Sequence, residues 1–164
     1  MANPLNENLL DRVVEVYHRL LERWNERDAE GFAALFVDGG HAIGFDGSGM
    51  DGRAEIASTL AAVFQNERTG TYVSTVREVR EIAPGVILLR SIVAMVPPDS
   101  VNLNLSVQAL QSVVFVQRED GHRDDGLRIV LLQSTPAAFH GRPEVAELLA
   151  LELEAARRSQ RIKH

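Results

Sequence analysis

Hydrophobic residues recur with a helical period in the first part of this chain and with an alternating period in most of the rest. From Asn8 to Glu26 they lie three and four residues apart, with charged residues between them. This spacing forms one apolar stripe along a helix. The sequence therefore predicts a long amphipathic first helix, whose stripe contains Leu10, Val13, Tyr17, Leu20 and Trp24.

Shorter elements follow the first helix. Asp28 is a good N-cap residue, and it predicts a second helix that runs through Phe36 and stops at the glycines of 38–40. A short strand at 41–45 and a turn at 46–52 come next. A third helix is predicted from Arg53 to Gln65, with the inward positions Ile56, Leu60, Val63 and Phe64.

From Thr69 onward the apolar period changes to two, which is typical of strands. The pattern predicts an antiparallel meander of long strands at 71–82, 86–96, 105–118 and 127–135. Turn residues separate them at 83–85 and 119–126, and the longer connection at 97–104 is a candidate cover for a pocket. Pro143 marks the start of a final helix, which carries Val145, Leu148, Leu149, Leu151 and Leu153.

These elements predict an α+β fold in which a curved antiparallel sheet wraps around the N-terminal helix in the shape of a cone. We expect a single domain over residues 1–164, with its core at 5–135 and a C-terminal helical extension at 142–160. No internal repeat or linker interrupts the pattern.

Composition narrows the classes of partner. The net charge is −6, with no basic face along the body of the chain, which argues against nucleic acid. There is no cysteine, which excludes disulfides and thiolate chemistry. No signal peptide or membrane-length apolar run is present, so we expect a cytoplasmic protein that does not bind membranes.

Several short motifs resemble those of one protein superfamily. They are residues 24–29 (Trp-Asn-Glu-Arg-Asp-Ala) with Phe32 and Phe36, Gly52–Ile56, Gln108–Val113, and Leu127–Ile129 leading to 133–135 (Gln-Ser-Thr). They are similar to the SgcJ/EcaC group of SnoaL-like proteins, within the nuclear transport factor 2-like superfamily. That group often has an aromatic residue where this chain has Leu127, and asparagine where it has Ser134.

The resemblance implies the cone-shaped fold, a dimer formed by packing sheet on sheet, and a place in bacterial secondary-metabolite pathways, notably those of enediyne polyketides. Some SnoaL-like and ketosteroid-isomerase-like relatives use a carboxylate base with tyrosine or acid donors inside the cone. At the central strand positions this chain has Gln111, Ser112 and Gln133. Isomerase chemistry by that route is therefore disfavoured.

The last strand is apolar on both faces. Because alternate strand residues share a face, an outward Arg128 would leave Val130 and Leu132 on the outer face. The inward residues would then be Leu127, Ile129, Leu131, Gln133 and Thr135. The outer aliphatic residues need a cover, and a homodimer through the outer sheet face is the expected one. The alternative is that the C-terminal helix folds back on that face.

A hydrophobic small molecule is the expected partner of the cone. An unpaired buried amide is costly, so an inward Gln133 needs either a ligand or a protein hydrogen bond, for which Gln111 is a candidate. Tyr17 and Trp24 are either pocket walls or core residues that satisfy their polar atoms internally. The predicted ligand pocket contains Tyr17, Trp24, Phe64, Gln111, Gln133 and Thr135.

Histidine is the first choice for acid–base chemistry near neutral pH. His41 begins the short strand and Asp46 follows in the next turn, so the two are candidate catalytic residues. Their odd spacing would turn them to opposite faces of a regular strand, which disfavours a catalytic dyad. No histidine pair has zinc-site spacing and no turn matches a phosphate loop, so we expect no metal and no cofactor.

Two function classes are consistent with these patterns. The first is a small-molecule-binding accessory protein of secondary metabolism, whose cone holds a polyketide-like ligand. The second is a cofactor-free SnoaL-type cyclase, isomerase or hydrolase acting on a polyketide, which requires an ionisable side chain in the pocket. A structural association module with a filled cone is a third.

Overall fold

The computed structural model describes residues 4–118 and 126–162. Along the chain the helices are α1 (Pro4–Asn25), α2 (Ala29–Ala33), α3 (Arg53–Asn66) and α4 (Pro143–Ile162). The strands are β1 (Phe36–Ile43), β2 (Gly49–Asp51), β3 (Thr71–Ala83), β4 (Val86–Val96), β5 (Asn104–Gln117) and β6 (Leu127–Pro136). The predicted α+β class is confirmed, with one curved sheet and helices at both ends of the chain.

The second helix is shorter than predicted. It ends at Ala33, and Phe36 begins strand β1. Phe36 lies opposite Ile129 of β6 and is fully buried. The guanidinium of Arg53 donates two hydrogen bonds to the carbonyl oxygen of Phe36, at 2.9 and 2.6 Å. Pairing with the sheet therefore outweighs the helical spacing of Phe32 and Phe36.

The sheet has the strand order β2-β1-β6-β5-β4-β3. Strands β3 to β6 form the predicted antiparallel meander. Strand β1 joins β6 in parallel, and β2 pairs antiparallel with β1 inside the predicted turn at 46–52. The sheet is thus mixed and not wholly antiparallel, because β1 and β6 are far apart in sequence and their pairing leaves no local signal.

Helices α1, α2 and α3 pack on one face of the sheet, which we call the inner face. The side chains at its centre are fully buried and include Tyr17, Phe36, Ile56, Leu89 and Phe115. Because they have no exposed surface, no water-sized space lies beside them. The cone is therefore filled with side chains where α1 crosses the sheet.

The C-terminal helix α4 packs on the opposite, outer face. A second buried cluster joins it to β3, β4 and the loop before β5, and contains Val73, Ile92, Ala94, Leu103, Leu149 and Leu153. An ion pair of 2.7 Å between Arg77 of β3 and Glu152 of α4 lies beside this cluster. The C-terminal helix therefore folds back and covers the β3–β4 half of the outer face. A homodimer that covers the β5–β6 half of this face stays a prediction.

Strand β6 contains a β-bulge at Val130. Ile129 and Leu131 lie opposite the consecutive residues Phe115 and Val114 of β5, so Val130 is the extra residue. A bulge reverses the alternation beyond it. The predicted orientations after Val130 are therefore wrong: Leu132 and Ser134 face inward, whereas Leu131, Gln133 and Thr135 face outward.

The connection at 97–103 lies beside α4 and not over the cone. Leu103 is buried in the second cluster, and Asp99 accepts two hydrogen bonds of 2.9 Å from the guanidinium of Arg68. The predicted turn at 83–85 is confirmed, with Gly85 at a φ of 71°. Most of the predicted turn at 119–126 lies outside the described residues. No helix in the described ranges is long and apolar enough to cross a membrane.

Candidate ligand-binding groove

The interior of the cone contains a buried polar network centred on Tyr17. Its hydroxyl donates a hydrogen bond of 2.6 Å to Oε1 of Gln111, and Oγ of Ser91 lies 2.5 Å away. Because the phenol has one proton, Ser91 is the donor to the phenol oxygen. Nε2 of Gln111 in turn donates to Oγ of Ser134 at 3.2 Å. The network joins α1 to strands β4, β5 and β6.

The groups in this network are neutral. Burial raises the pKa of Tyr17 well above its ordinary value, and the hydrogen bond from Ser91 offsets only part of that rise. Gln111, which was the candidate partner of Gln133, instead forms hydrogen bonds with Tyr17 and Ser134. The network fastens the helix to the sheet and offers no base for proton abstraction.

Trp24 and Phe64, also predicted for the pocket, belong to an aromatic cluster with Phe32 and Tyr72. The ring centroid of Trp24 lies 5.1 Å from that of Phe64 and 5.3 Å from that of Tyr72, distances typical of aromatic pairs. The indole Nε1 donates to the carbonyl oxygen of Gly70 at 3.0 Å. Trp24 therefore has its packing and hydrogen bond within the protein.

The predicted pocket residues divide between the two sides of the sheet. Tyr17, Trp24, Phe64 and Gln111 meet on the inner side. Gln133 and Thr135 are exposed and face outward because of the bulge in β6.

His41 and Asp46 do not form a pair. Nδ1 of His41 lies 2.7 Å from Oδ1 of Asp51, and both side chains are more than half exposed. Asp46 accepts a hydrogen bond of 2.9 Å from the amide of Ser48, and this bond lowers the pKa of Asp46. Within the described ranges, no group of three or more potential metal-ligating side chains is present.

An open groove lies on the outer face, between the sheet and α4, and we call it the α4 groove. Its volume is about 720 Å³. Its apolar residues come from β4, β5, α4 and the turn before α4, and they are Ile92, Leu110, Phe139, Val145, Leu148 and Leu149. Leu110 is 41% exposed and Leu148 is 67% exposed, which leaves large apolar side chains open to solvent in the groove. Gln111 and Thr135 of the predicted pocket also line this groove.

The sheet side of the α4 groove follows two neighbouring cross-strand rows, whose end members Thr75 and Gln133 lie outside its lining. One row is polar and runs through Glu78, Arg90, Ser112 and Gln133. The adjacent row runs through Thr75, Ile92, Leu110 and Thr135, so it is apolar at its centre. Residues directly opposite each other on paired strands share a face, which places both rows on the outer side. The groove is therefore amphipathic.

Ion pairs fix the charged side chains around the α4 groove. Arg77 pairs with Glu152 at 2.7 Å. Oε1 of Glu78 lies 2.8 Å from Nε of Arg80, and Oε2 of Glu78 lies 3.5 Å from Nη1 of Arg90. Glu78 is thus shared between two guanidinium groups, and its contact with Arg90 is the longer one.

A second groove, of about 690 Å³, lies between α2 and α3. Its walls are mainly small side chains: Ala33, Ala34, Ala54, Ala57 and Ala61. Arg53 also lines this groove, but its guanidinium already donates hydrogen bonds to the carbonyl of Phe36 and pairs with Asp38 at 3.1 Å. The α4 groove is the better candidate, because it combines large apolar side chains with polar groups that are not fully bound.

Sequence reasoning missed Arg90, Ser112 and the α4 residues as parts of a site. The strand period does assign Arg90 and Ile92 to the same face. What it lacks is the position of α4, which creates the groove above them.

Solved structures with the same architecture identify the fold. A domain of unknown function with a cystatin-like fold from Nostoc punctiforme aligns with 98% of this chain and 96% of its own, at a TM-score of 0.73 and 22% identity. The chain has the nuclear transport factor 2-like fold. No protein-family model and no curated protein sequence matches it.

Two further structures share this nuclear transport factor 2-like fold. ActVI-ORFA from Streptomyces coelicolor has a TM-score of 0.61 and 20% identity, and the match covers 78% of this chain and 97% of that protein. A protein from Catenulispora acidiphila, solved in complex with S-DNPA, has a TM-score of 0.62 and 14% identity, and the match covers 79% and 94%. At these identities the likeness establishes the fold.

Proposed function

We propose that the protein binds a hydrophobic, polyketide-like small molecule in the α4 groove. It acts as an accessory factor in bacterial secondary-metabolite biosynthesis of the enediyne type, in the cytoplasm and as a homodimer. The observation that carries this proposal is the groove itself, an open space of about 720 Å³ whose floor contains a row of apolar side chains beside a polar one.

The size and lining of the groove suit a ligand of drug-like dimensions. Small-molecule sites typically enclose about 300–1,000 Å³ and combine apolar walls with a few polar groups. Leu110 and Leu148 would lose their exposed apolar surface when such a ligand binds. Burial of this surface would supply the binding free energy.

The metabolic setting is inferred from the motif resemblance to the SgcJ/EcaC group. Small-molecule binding is supported by a structure of the same fold, the Catenulispora acidiphila protein, which was solved in complex with S-DNPA. The nuclear transport factor 2-like fold therefore accommodates a small molecule in at least one member.

The alternative, a cofactor-free SnoaL-type enzyme, needs an ionisable group held beside the ligand in an environment that makes it basic. The network around Tyr17 is neutral. The carboxylates of the α4 groove, Glu78 and Glu152, are ion-paired with arginines. Binding without turnover is therefore the better-supported function.

The homodimer would use the outer face left uncovered by α4. Leu88, Val114, Val116 and Leu131 lie there on neighbouring strands and are only half-buried. A second copy packed on them would remove this apolar patch from water and wall the open side of the groove. Sedimentation velocity should give a dimer that Leu131→Asp converts to a folded monomer; a wild-type monomer would contradict this part of the proposal.

Fluorescence titration with Nile red, a neutral dye that brightens in apolar surroundings, tests the binding proposal. The variant Leu110→Lys places a cation on the groove floor, and it should weaken dye binding about 10-fold or more. Ile82→Lys is the matched control, because Ile82 is an exposed apolar residue of strand β3 outside the groove lining. It should bind the dye as the wild type does.

Circular dichroism establishes that both variants are folded. Equal dye affinity in the wild type and in Leu110→Lys, or no dye binding at all, would contradict binding in the α4 groove.

A further inference from the structure

We infer that the ligand of the α4 groove is an amphipathic anion, with its acidic head on Arg90 and its apolar body beneath α4. This inference rests on the proposed function, because it names the chemical class of the molecule held in the same groove.

The two cross-strand rows place a head-group site directly beside an apolar site. Arg90 is in the polar row, and Ile92 on the same strand is in the apolar row. Residues two apart on a strand are separated by about 7 Å along it. A molecule whose charged group contacts Arg90 can therefore lay its next few carbon atoms over Ile92 and Leu110 without a bend.

Arg90 has unused hydrogen-bonding capacity. A guanidinium carries five N–H donors. Within the described part of the chain its one ion-pair contact is the 3.5 Å approach of Nη1 to Glu78, which is longer than an ordinary charge-assisted hydrogen bond. Its side chain is 57% exposed. A carboxylate approaching along the groove would meet free donors in the planar arrangement that binds it bidentately.

The neighbouring arginines are already engaged. Arg77 is bound to Glu152 at 2.7 Å, and Arg80 to Glu78 at 2.8 Å. Because Glu78 serves both Arg80 and Arg90, one positive charge of that trio is left uncompensated. Arg90 is therefore the anchor of choice for an anion.

The polar row offers further hydrogen-bond donors next to Arg90. Ser112 lies directly opposite Arg90 on β5, and Gln133 lies opposite Ser112 on β6. A hydroxyl and an amide beside a guanidinium suit an oxyanion better than a cation. Together with the net positive charge of Glu78, Arg80 and Arg90, the row therefore favours a carboxylate or similar acid over a positively charged ligand.

Paired probes test the charge preference. Dodecanoate and 1-dodecanol have the same apolar chain and differ in the head group. We expect calorimetric titration below the micelle concentration, at about pH 8 where the acid is ionised, to give an affinity about 3- to 10-fold higher for dodecanoate. Added salt should weaken dodecanoate binding and leave dodecanol binding unchanged.

Variants of Arg90 and Glu78 test which residue causes the preference for dodecanoate. Arg90→Gln should abolish the advantage of dodecanoate and keep dodecanol binding, and Arg90→Lys should restore part of it. Glu78→Gln should raise dodecanoate affinity, because it removes the competing carboxylate. Arg68→Gln is the control, since it removes an exposed arginine that pairs with Asp99 and lies outside the groove lining, and it should keep the preference for the acid.

The titrations distinguish failure of the proposed function from failure of the inference about Arg90. If neither probe binds, the proposed function fails and this inference with it. If both bind equally well, or if Arg90→Gln keeps the preference for the acid, the groove binds hydrophobic molecules and the inference about Arg90 is overturned.

Discussion

The hydroxyl of Tyr17 on helix α1 donates a hydrogen bond of 2.6 Å to Oε1 of Gln111 on strand β5. These two residues lie on opposite walls of the cone, and their contact joins the walls. Tyr17, Ser91 and Gln111 are at most 2% exposed, so protein fills the interior at this point. An open groove lies on the other side of the sheet, between Leu110 and α4.

The Tyr17 hydroxyl should contribute measurably to stability. We expect Tyr17→Phe to lower the free energy of unfolding by about 1–2 kcal/mol, because it leaves Ser91 and Gln111 with unsatisfied polar atoms. Tyr72→Phe is the control, since the Tyr72 hydroxyl has no hydrogen bond among the described residues. Urea denaturation measures both, and equal losses in the two variants would show that the network adds nothing.

Alkaline pH should destabilise the protein through its tyrosines, which are only two, Tyr17 and Tyr72. Burial raises the pKa of Tyr72 to about 12 and raises that of Tyr17 as well. In the unfolded chain both ionise near pH 10, so above about pH 10 the folded state binds more protons than the unfolded state. The free energy of unfolding should therefore fall as the pH rises from about 10 towards 12.

Absorbance at about 295 nm monitors this tyrosine ionisation directly. The native protein should show little tyrosinate near pH 10, whereas the urea-unfolded chain should be about half ionised there. Full ionisation of both tyrosines in the native protein near pH 10 would mean that neither is buried.

Helix α4 should be an integral part of the folded protein. Leu153 of α4 is fully buried against the sheet, whereas Leu151 is 65% exposed. Leu153→Ala should cost about 2–4 kcal/mol of unfolding free energy, and Leu151→Ala about 0.5 kcal/mol or less. If thermal denaturation finds the same small effect for both, α4 does not cover the outer face.

The bulge at Val130 makes neighbouring leucines respond oppositely to a charge. Leu132 is buried in the main core, whereas Leu131 faces outward. Leu132→Asp should therefore prevent folding or cost more than about 3 kcal/mol, and Leu131→Asp should leave the monomer folded. Urea denaturation measures both variants. The reverse result would show that β6 alternates regularly and that Gln133 faces the interior of the cone.

Much of the fold could be predicted because it follows from local pattern. The stripe of α1 and the alternation in β3 to β5 indicate which residues face the main core, and Pro143 begins α4 as expected. The predictions that were wrong concern features that depend on contacts between residues distant in sequence. Phe36 continues the helical spacing of α2 but pairs with β6, and no turn or glycine in 127–136 marks the bulge at Val130.

The candidate site was less predictable than the fold. The sequence indicated that a buried Tyr17 needs a hydrogen-bond partner, and it offered Gln111 as a partner of Gln133, whereas Tyr17 and Gln111 are partners of each other. Arg90 looks like an ordinary surface residue until α4 is placed above its strand. A groove formed by two elements distant in sequence has no motif of its own.

Methyl NMR during titration with dodecanoate or 1-dodecanol, whichever binds more tightly, tests the central claim most directly. Ligand in the α4 groove should shift the methyl signals of Ile92, Leu110 and Leu149 and leave those of Ile56 and Val113 unchanged. Shifts confined to Ile56 and Val113 would place the ligand inside the cone and contradict the account.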